Sequence, residues 1–140
     1  MTDVDEPTLR LLAVDDDPVN RALLRAIVQR STDPLIRTSV YREAASLAAA
    51  RAALGDQPVD VLLLDIHLPD GLGLDLATEL RTGRSGRSPS PAVIALTASV
   101  LPADQQAALD AGCDAFLAKP YSASDLLAVI RRVAEARRRD

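Results

Sequence analysis

Four apolar runs in this chain each end on a reactive polar group: LLAV on Asp15, VLLL on Asp65, VIAL on Thr97 and AFLA on Lys119. Unbroken apolar runs of this length, spaced by helix-length segments, are the pattern of strands buried on both faces of a parallel sheet. In an open parallel sheet the carboxyl ends of the strands lie along one edge, where ligands bind. Such a fold brings carboxylates, a hydroxyl and an amine from distant parts of the chain into one crevice.

The stretches between the runs read as helices. Asp17 followed by Pro18 is a helix start, an N-cap acceptor before a proline whose missing N–H costs nothing in the first turn. Leu23, Leu24, Ile27 and Val28 give that helix its apolar stripe, and STDP (31–34) ends it. LIRTSV (35–40) is a more polar strand, expected at a sheet edge. Residues 42–54 form an alanine-rich helix that Gly55 would close as a C′ glycine. Further helices are expected over 74–81, 102–112 and from Ser122 to about Arg138, the last opened by the cap-like pair Ser122 and Asp125. TGRSGRSPSP (82–91) is a surface loop within the domain.

Five β–α units with right-handed crossovers imply an α/β, doubly wound, five-stranded parallel sheet, and the flavodoxin-like strand order 2-1-3-4-5 fits. Residues 1–8 read as a disordered lead-in and 9–138 as one domain. With 140 residues, the chain can bury a core without metal or disulfide staples.

Composition narrows the function. A net charge of −4 and only three aromatics, Tyr41, Phe116 and Tyr121, argue against a direct nucleic-acid partner. The basic tail RRVAEARRRD reads as a solvated helix end. The single cysteine, Cys113, allows no internal disulfide and reads as a small buried filler. No apolar stretch is long enough for a membrane span and the start is polar, so a cytoplasmic location is expected.

Asp15, Asp16 and Asp17 follow one buried strand, and Asp65 ends its neighbour. Like charges this close destabilise one another unless a cation joins them, and oxygen ligands without His or Cys indicate Mg²⁺. A carboxylate beside Mg²⁺ either ligates the metal or attacks phosphorus to form an acyl phosphate. Thr97 and Lys119 favour the second role for Asp65, because a transferring phosphoryl group needs a cation and hydrogen-bond donors around its oxygens. Lys119 is the sole lysine among sixteen Lys and Arg residues, a compact point charge where a guanidinium fork fits poorly.

VDDDP, LLLDIHLPDGLG, ALTA and AFLAKPY, in this order and spacing from about Leu9 to Arg138, resemble the motifs of two-component response-regulator receiver domains. The combination DDDPVNR with DIHLP is most similar to receivers fused to sensor kinases. The resemblance implies that Asp65 is the phosphoacceptor, that Asp16 ligates Mg²⁺ directly and Asp15 through water, and that His67 offers its backbone carbonyl to the metal. It further implies that Thr97 and the Ala98 N–H bind the phosphoryl oxygens, that Lys119 does likewise ahead of a cis bond to Pro120, and that Phe116 is a switch aromatic. Leu68 and Leu72 depart from the methionine and aspartate often found at their positions, without touching the chemistry. By resemblance the donor is a sensor histidine kinase or a histidine phosphotransfer protein, docking on the helix that starts at Pro18. The output protein is unspecified, and a homodimer formed on phosphorylation stays open. The domain is expected to assist its own phosphorylation and dephosphorylation rather than to be an enzyme with a separate substrate.

Two other readings stand beside this one. Asp15-Asp16-Asp17-Pro18-Val19 also fits the D-x-D-x-V motif of haloacid-dehalogenase-type phosphatases, with Asp15 as nucleophile and Asp17 as acid/base, which leaves Asp65 and its loop unexplained. The third reading is a receiver fold that works unphosphorylated, as a docking module.

Overall fold

The computed structural model of the chain describes residues 8–83, 90–99 and 101–139. Nearly all of the expected lead-in, and the middle of the 82–91 loop, lie outside them. The elements run β1 (Arg10–Val14), α1 (Pro18–Gln29), α2 (Pro34–Arg37), β2 (Val40–Ala44), α3 (Leu47–Asp56), β3 (Val61–Asp65), β4 (His67–Leu68), β5 (Gly71–Leu72), α4 (Gly73–Arg81), β6 (Ala92–Thr97), α5 (Pro102–Asp110), β7 (Ala115–Ala118) and α6 (Ala123–Arg139). Five strands form a parallel sheet in the order β2-β1-β3-β6-β7, and β4 and β5 make a small antiparallel hairpin. In sequence order of the five main strands this is the expected 2-1-3-4-5.

Alternation along the central strands explains the layers. Leu12, Val14, Leu62, Leu64, Val93 and Ala95 face α3 and α4, packing with Leu47, Leu76 and Leu80. Leu11, Ala13, Val61, Leu63, Ile94 and Leu96 face α1, α2 and α6, packing with Leu24, Ile36, Leu126 and Ile130. Leu11, Leu12, Leu62, Leu63 and Leu64 are at most 1% exposed, and burial of such a side chain stabilises by about 1.5–3 kcal/mol. The three central strands therefore have little freedom to slip register. No helix among the described residues is long and apolar enough to cross a membrane.

Several local expectations are met. Asp17 caps α1 by accepting the Val19 N–H at 2.8 Å, and Ser122 Oγ accepts the Asp125 N–H at 3.0 Å. Two are corrected. The second strand is Val40–Ala44 rather than 35–40. Asp33 accepts the Leu35 N–H at 3.0 Å and starts the short helix α2, so Pro34 opens a turn instead of a strand. The edge position holds. Gly55 lies inside α3, which Ser46 caps at its start and Gln57 at its end. No left-handed conformation is required of that glycine.

Candidate functional site

Strand parity assembles the site. Asp15 continues the Leu11–Ala13 side of β1, Asp65 the Val61–Leu63 side of β3, and Lys119 the Ala115–Leu117 side of β7, all toward α1 and α6. Thr97 continues the opposite side, that of Val93 and Ala95, against which Phe116 packs half-buried.

Asp15 is 0% and Asp65 8% exposed, at the ends of adjacent parallel strands. Lys119 Nζ lies 3.3 Å from Asp15 Oδ2 and 3.3 Å from Asp65 Oδ2, one ammonium shared by two buried carboxylates. Burial pushes the Asp65 carboxyl above its ordinary value. The Lys119 charge and the His67 N–H, 3.2 Å from Asp65 Oδ1, oppose that rise, and the Asp15 charge adds to it. Tyr121, half-buried, is pushed up to about 12, first by burial and then by the charges of Asp15 and Asp65.

Carboxylate oxygens of Asp15, Asp16 and Asp65 all lie within 4.8 Å of one another. Lys119 contacts two of these carboxylates, those of Asp15 and Asp65, and the exposed Asp16 adds a third, so the cluster carries more negative than positive charge. An all-oxygen donor set with that deficit fits a hard divalent cation such as Mg²⁺.

The other expected residues fall into place around this trio. Thr97 is 4% exposed, and its Oγ1 accepts the Ser99 N–H at 3.0 Å. Ala98 follows it in the exposed turn after β6. The Lys119 N–H donates to the Thr97 carbonyl at 2.7 Å, tying the two strand ends together, and the Lys119–Pro120 bond is cis. His67 is exposed, with its main chain turned toward Asp65. Asp17, the acid/base of the phosphatase reading, is engaged as the cap of α1. A cavity of about 520 Å³ beside Ser90, Asp114 and Arg137, at the opposite end of the sheet, contains none of these residues.

Two supporting residues escape sequence reasoning. A Cβ on Gly73 would stand 2.4 Å from the Asp65 carbonyl oxygen, so only glycine lets α4 start this close behind Asp65. Its N–H donates to the Ile66 carbonyl at 2.6 Å. Asp70, in the hairpin turn, accepts the Leu47 and Ala48 N–H groups at 2.8 and 3.0 Å and thereby caps α3 from outside it. Those two bonds hold its carboxyl below the usual range. The DG pair in the loop was the available signal for a tight turn, but its tie to α3 is long-range.

A five-stranded parallel sheet with an acidic pocket and a lysine at its carboxyl edge is a doubly wound α/β domain with its polar site at the strand ends. Residues 11–131 match the family model described as the response regulator receiver domain, and the chain belongs to that family. It is 38% identical over 130 residues to the aerobic respiration control sensor protein ArcB of Escherichia coli (strain K12), a match covering 93% of this chain and 16% of that protein. It is 37% identical over 131 residues to the transcriptional regulatory protein AruR of Pseudomonas aeruginosa, covering 91% of this chain and 51% of AruR. The chain thus spans only part of these relatives. A CheY-like receiver domain protein from Methanospirillum hungatei superposes with a TM-score of 0.80 at 25% identity, covering 95% of this chain and 98% of that one. The chemotaxis protein CheY4 of Vibrio cholerae, at 0.77 and 23%, shares the fold, covering 91% of this chain and 99% of its own.

Proposed function

We propose that this receiver accepts a phosphoryl group onto Asp65 from a phosphohistidine of a sensor histidine kinase or a histidine phosphotransfer protein. The observation that carries the reading is the position of Lys119 Nζ, 3.3 Å from both Asp15 and Asp65. An Asp65 carboxylate oxygen attacks phosphorus. The P–N bond to the donor imidazole breaks, its electron pair leaves with the imidazole, and an acyl phosphate remains on Asp65. Mg²⁺, held by Asp15, Asp16, Asp65 and the His67 carbonyl, would neutralise charge between the carboxylate and the incoming phosphoryl oxygens.

The chain's own groups do the rest. Lys119 exchanges part of its contact with the Asp65 carboxylate for a phosphoryl oxygen. Thr97 keeps the Ser99 N–H on a lone pair while its hydroxyl proton turns to a second oxygen, since a hydroxyl can donate and accept together. The Ala98 N–H serves the same group. Movement of Thr97 frees space for Phe116 on the same side of the sheet, which biases the surface of α5, β7 and α6 toward another arrangement and another partner. Leu23 on α1, 51% exposed, lines a cavity of about 280 Å³ together with Asn20, Lys119 and Tyr121, and Val19 on the same helix is 73% exposed, which supports α1 as the donor's docking face. The domain assists its own phosphorylation and hydrolysis and turns over no separate substrate, in a cytoplasmic setting.

The test is incubation with acetyl phosphate and Mg²⁺ followed by a search for an acid-stable, base-labile adduct. Labelling lost in Asp65→Asn but partly kept in Asp15→Asn is the expected result. The reverse pattern would favour the phosphatase reading, and absence of any adduct would favour the docking module.

A further inference from the structure

Asp15 is fully buried, and every polar atom it carries has a partner. Its N–H donates to the Ala44 carbonyl at 3.1 Å, Oδ1 accepts the Asp17 N–H at 2.9 Å, and Oδ2 faces Lys119 Nζ at 3.3 Å. The remaining atom, the carbonyl oxygen, accepts from Arg21 Nη1 at 2.7 Å. That donor is a side chain reaching back from the second turn of α1. Its guanidinium is steered from the other side by Glu43, whose Oε1 lies 3.6 Å from Arg21 Nε, and Arg25 in turn holds Glu43 at 3.1 Å.

The carbonyl in question belongs to the peptide that joins Asp15 to Asp16. A short, charge-assisted bond to it fixes the plane of that peptide, and with it the direction in which the Asp16 side chain leaves the backbone. Asp16 needs such help. It is exposed, and its carboxylate accepts no hydrogen bond among the described residues, so only its backbone aims it at the other two acids. One planar guanidinium can serve the Asp15 carbonyl and Glu43 at once through different nitrogens, which an ammonium does poorly.

We infer that Arg21 is a positioning residue of the acidic pocket, locking the Asp15–Asp16 peptide so that the Asp16 carboxylate converges with Asp15 and Asp65 on a divalent cation. The inference rests on the functional reading above, in which these acids hold Mg²⁺. Partners of this kind, one step removed from a metal, typically change affinity by about 10–100-fold when lost.

The experiment titrates Mg²⁺ into the whole chain by calorimetry and follows acetyl-phosphate labelling against Mg²⁺ concentration. Arg21→Ala is expected to weaken Mg²⁺ binding about tenfold, with labelling restored at saturating Mg²⁺. Arg25→Ala, which removes the Arg25–Glu43 pair and leaves both Arg21 contacts, those with Glu43 and with the Asp15 carbonyl, should bind like wild type. Arg21→Gln, which keeps a donor without the charge, should recover most of the affinity and also serves if Arg21→Ala does not fold. Unchanged affinity in Arg21→Ala, equal loss in Arg25→Ala, or an Arg21→Gln protein as weak as Arg21→Ala would each overturn the inference while leaving the function intact. A wild-type chain that binds no Mg²⁺ and takes no label on Asp65 would instead overturn the function, and this inference with it.

Discussion

At the amino-terminal edge of the sheet, Asp60 stands just before β3 and meets two guanidiniums. Arg10 reaches it through its backbone N–H at 2.8 Å and Nε at 3.1 Å, and Arg137 through Nη1 at 2.9 Å. Asp65, at the other end of the same strand, shares one ammonium with Asp15 while Asp16 adds a third carboxylate. The two side chains are almost equally buried, at 13% and 12% exposed. Burial is the largest influence on each and pushes both carboxyls up. At Asp60 the Arg10 hydrogen bonds and the two cationic charges outweigh it, and the net shift is downward. At Asp65 the opposing groups recover only part, and the net shift is upward. Burial therefore does not distinguish a structural acid from a reactive one; the local balance of charge does. At one edge two cations meet a single acid, and at the other the acids are left in deficit, which under the proposed function a cation and a phosphoryl group would fill.

Exchanging the two acids for neutral residues in turn should separate their roles. Asp65→Asn should reduce phosphorylation to background and raise the metal-free melting temperature slightly, because it removes a desolvated charge; scanning calorimetry without Mg²⁺ checks the second part. Asp60→Ala should do the opposite. Stability measured by urea unfolding should fall by about 3 kcal/mol, since Arg10 and Arg137 lose their shared partner, while labelling of Asp65 persists. Equal loss of labelling in both variants would erase the contrast.

Added Mg²⁺ should stabilise the protein by about 2.7 kcal/mol at a hundredfold excess over its dissociation constant. The gain should disappear in Asp16→Asn and remain in Asp60→Asn, and melting curves with and without chelator read it directly. The smallest effect is in the pH dependence, where the two edges act with opposite sign. The lowered pKa of Asp60 gives a stabilising share that is present above the ordinary value of 3.8 and is lost as pH falls through the folded-state value. The raised pKa of Asp65 gives a share present below 3.8 and lost as pH rises through its folded-state value. Metal-free unfolding curves should therefore show a flatter acid limb in Asp60→Asn, and no decline above 3.8 attributable to Asp65 in Asp65→Asn. Identical curves for the two variants would mean that the edges do not differ electrostatically.

Much of this molecule is legible without coordinates, for reasons that vary from element to element. The middles of β1, β3 and β6 are buried on both faces, so their inner positions are apolar and the run stands out from its surroundings. β2 has one edge open and reads VYREA, exposed or half-buried until Ala44, so nothing in its pattern separated it from the neighbouring LIRTSV. Asp33–Pro34 carried a helix-start signal as good as that of Asp17–Pro18, yet α2 runs only from Pro34 to Arg37, too short to show a period. Gly55 sits inside α3 because the helix continues to Asp56.

From the amino-acid order alone come the parallel α/β architecture and the set of strand-end groups, Asp15, Asp65, Thr97 and Lys119, because the period and termination of an apolar run are local properties. Folding alone decided which of those groups touch, how one ammonium is divided between two acids, and why Gly73 and Arg21 are needed beside them. Such contacts arise when parallel register aligns the ends of strands up to about a hundred residues apart, as in the 104-residue separation of Lys119 from Asp15. No local pattern records that distance.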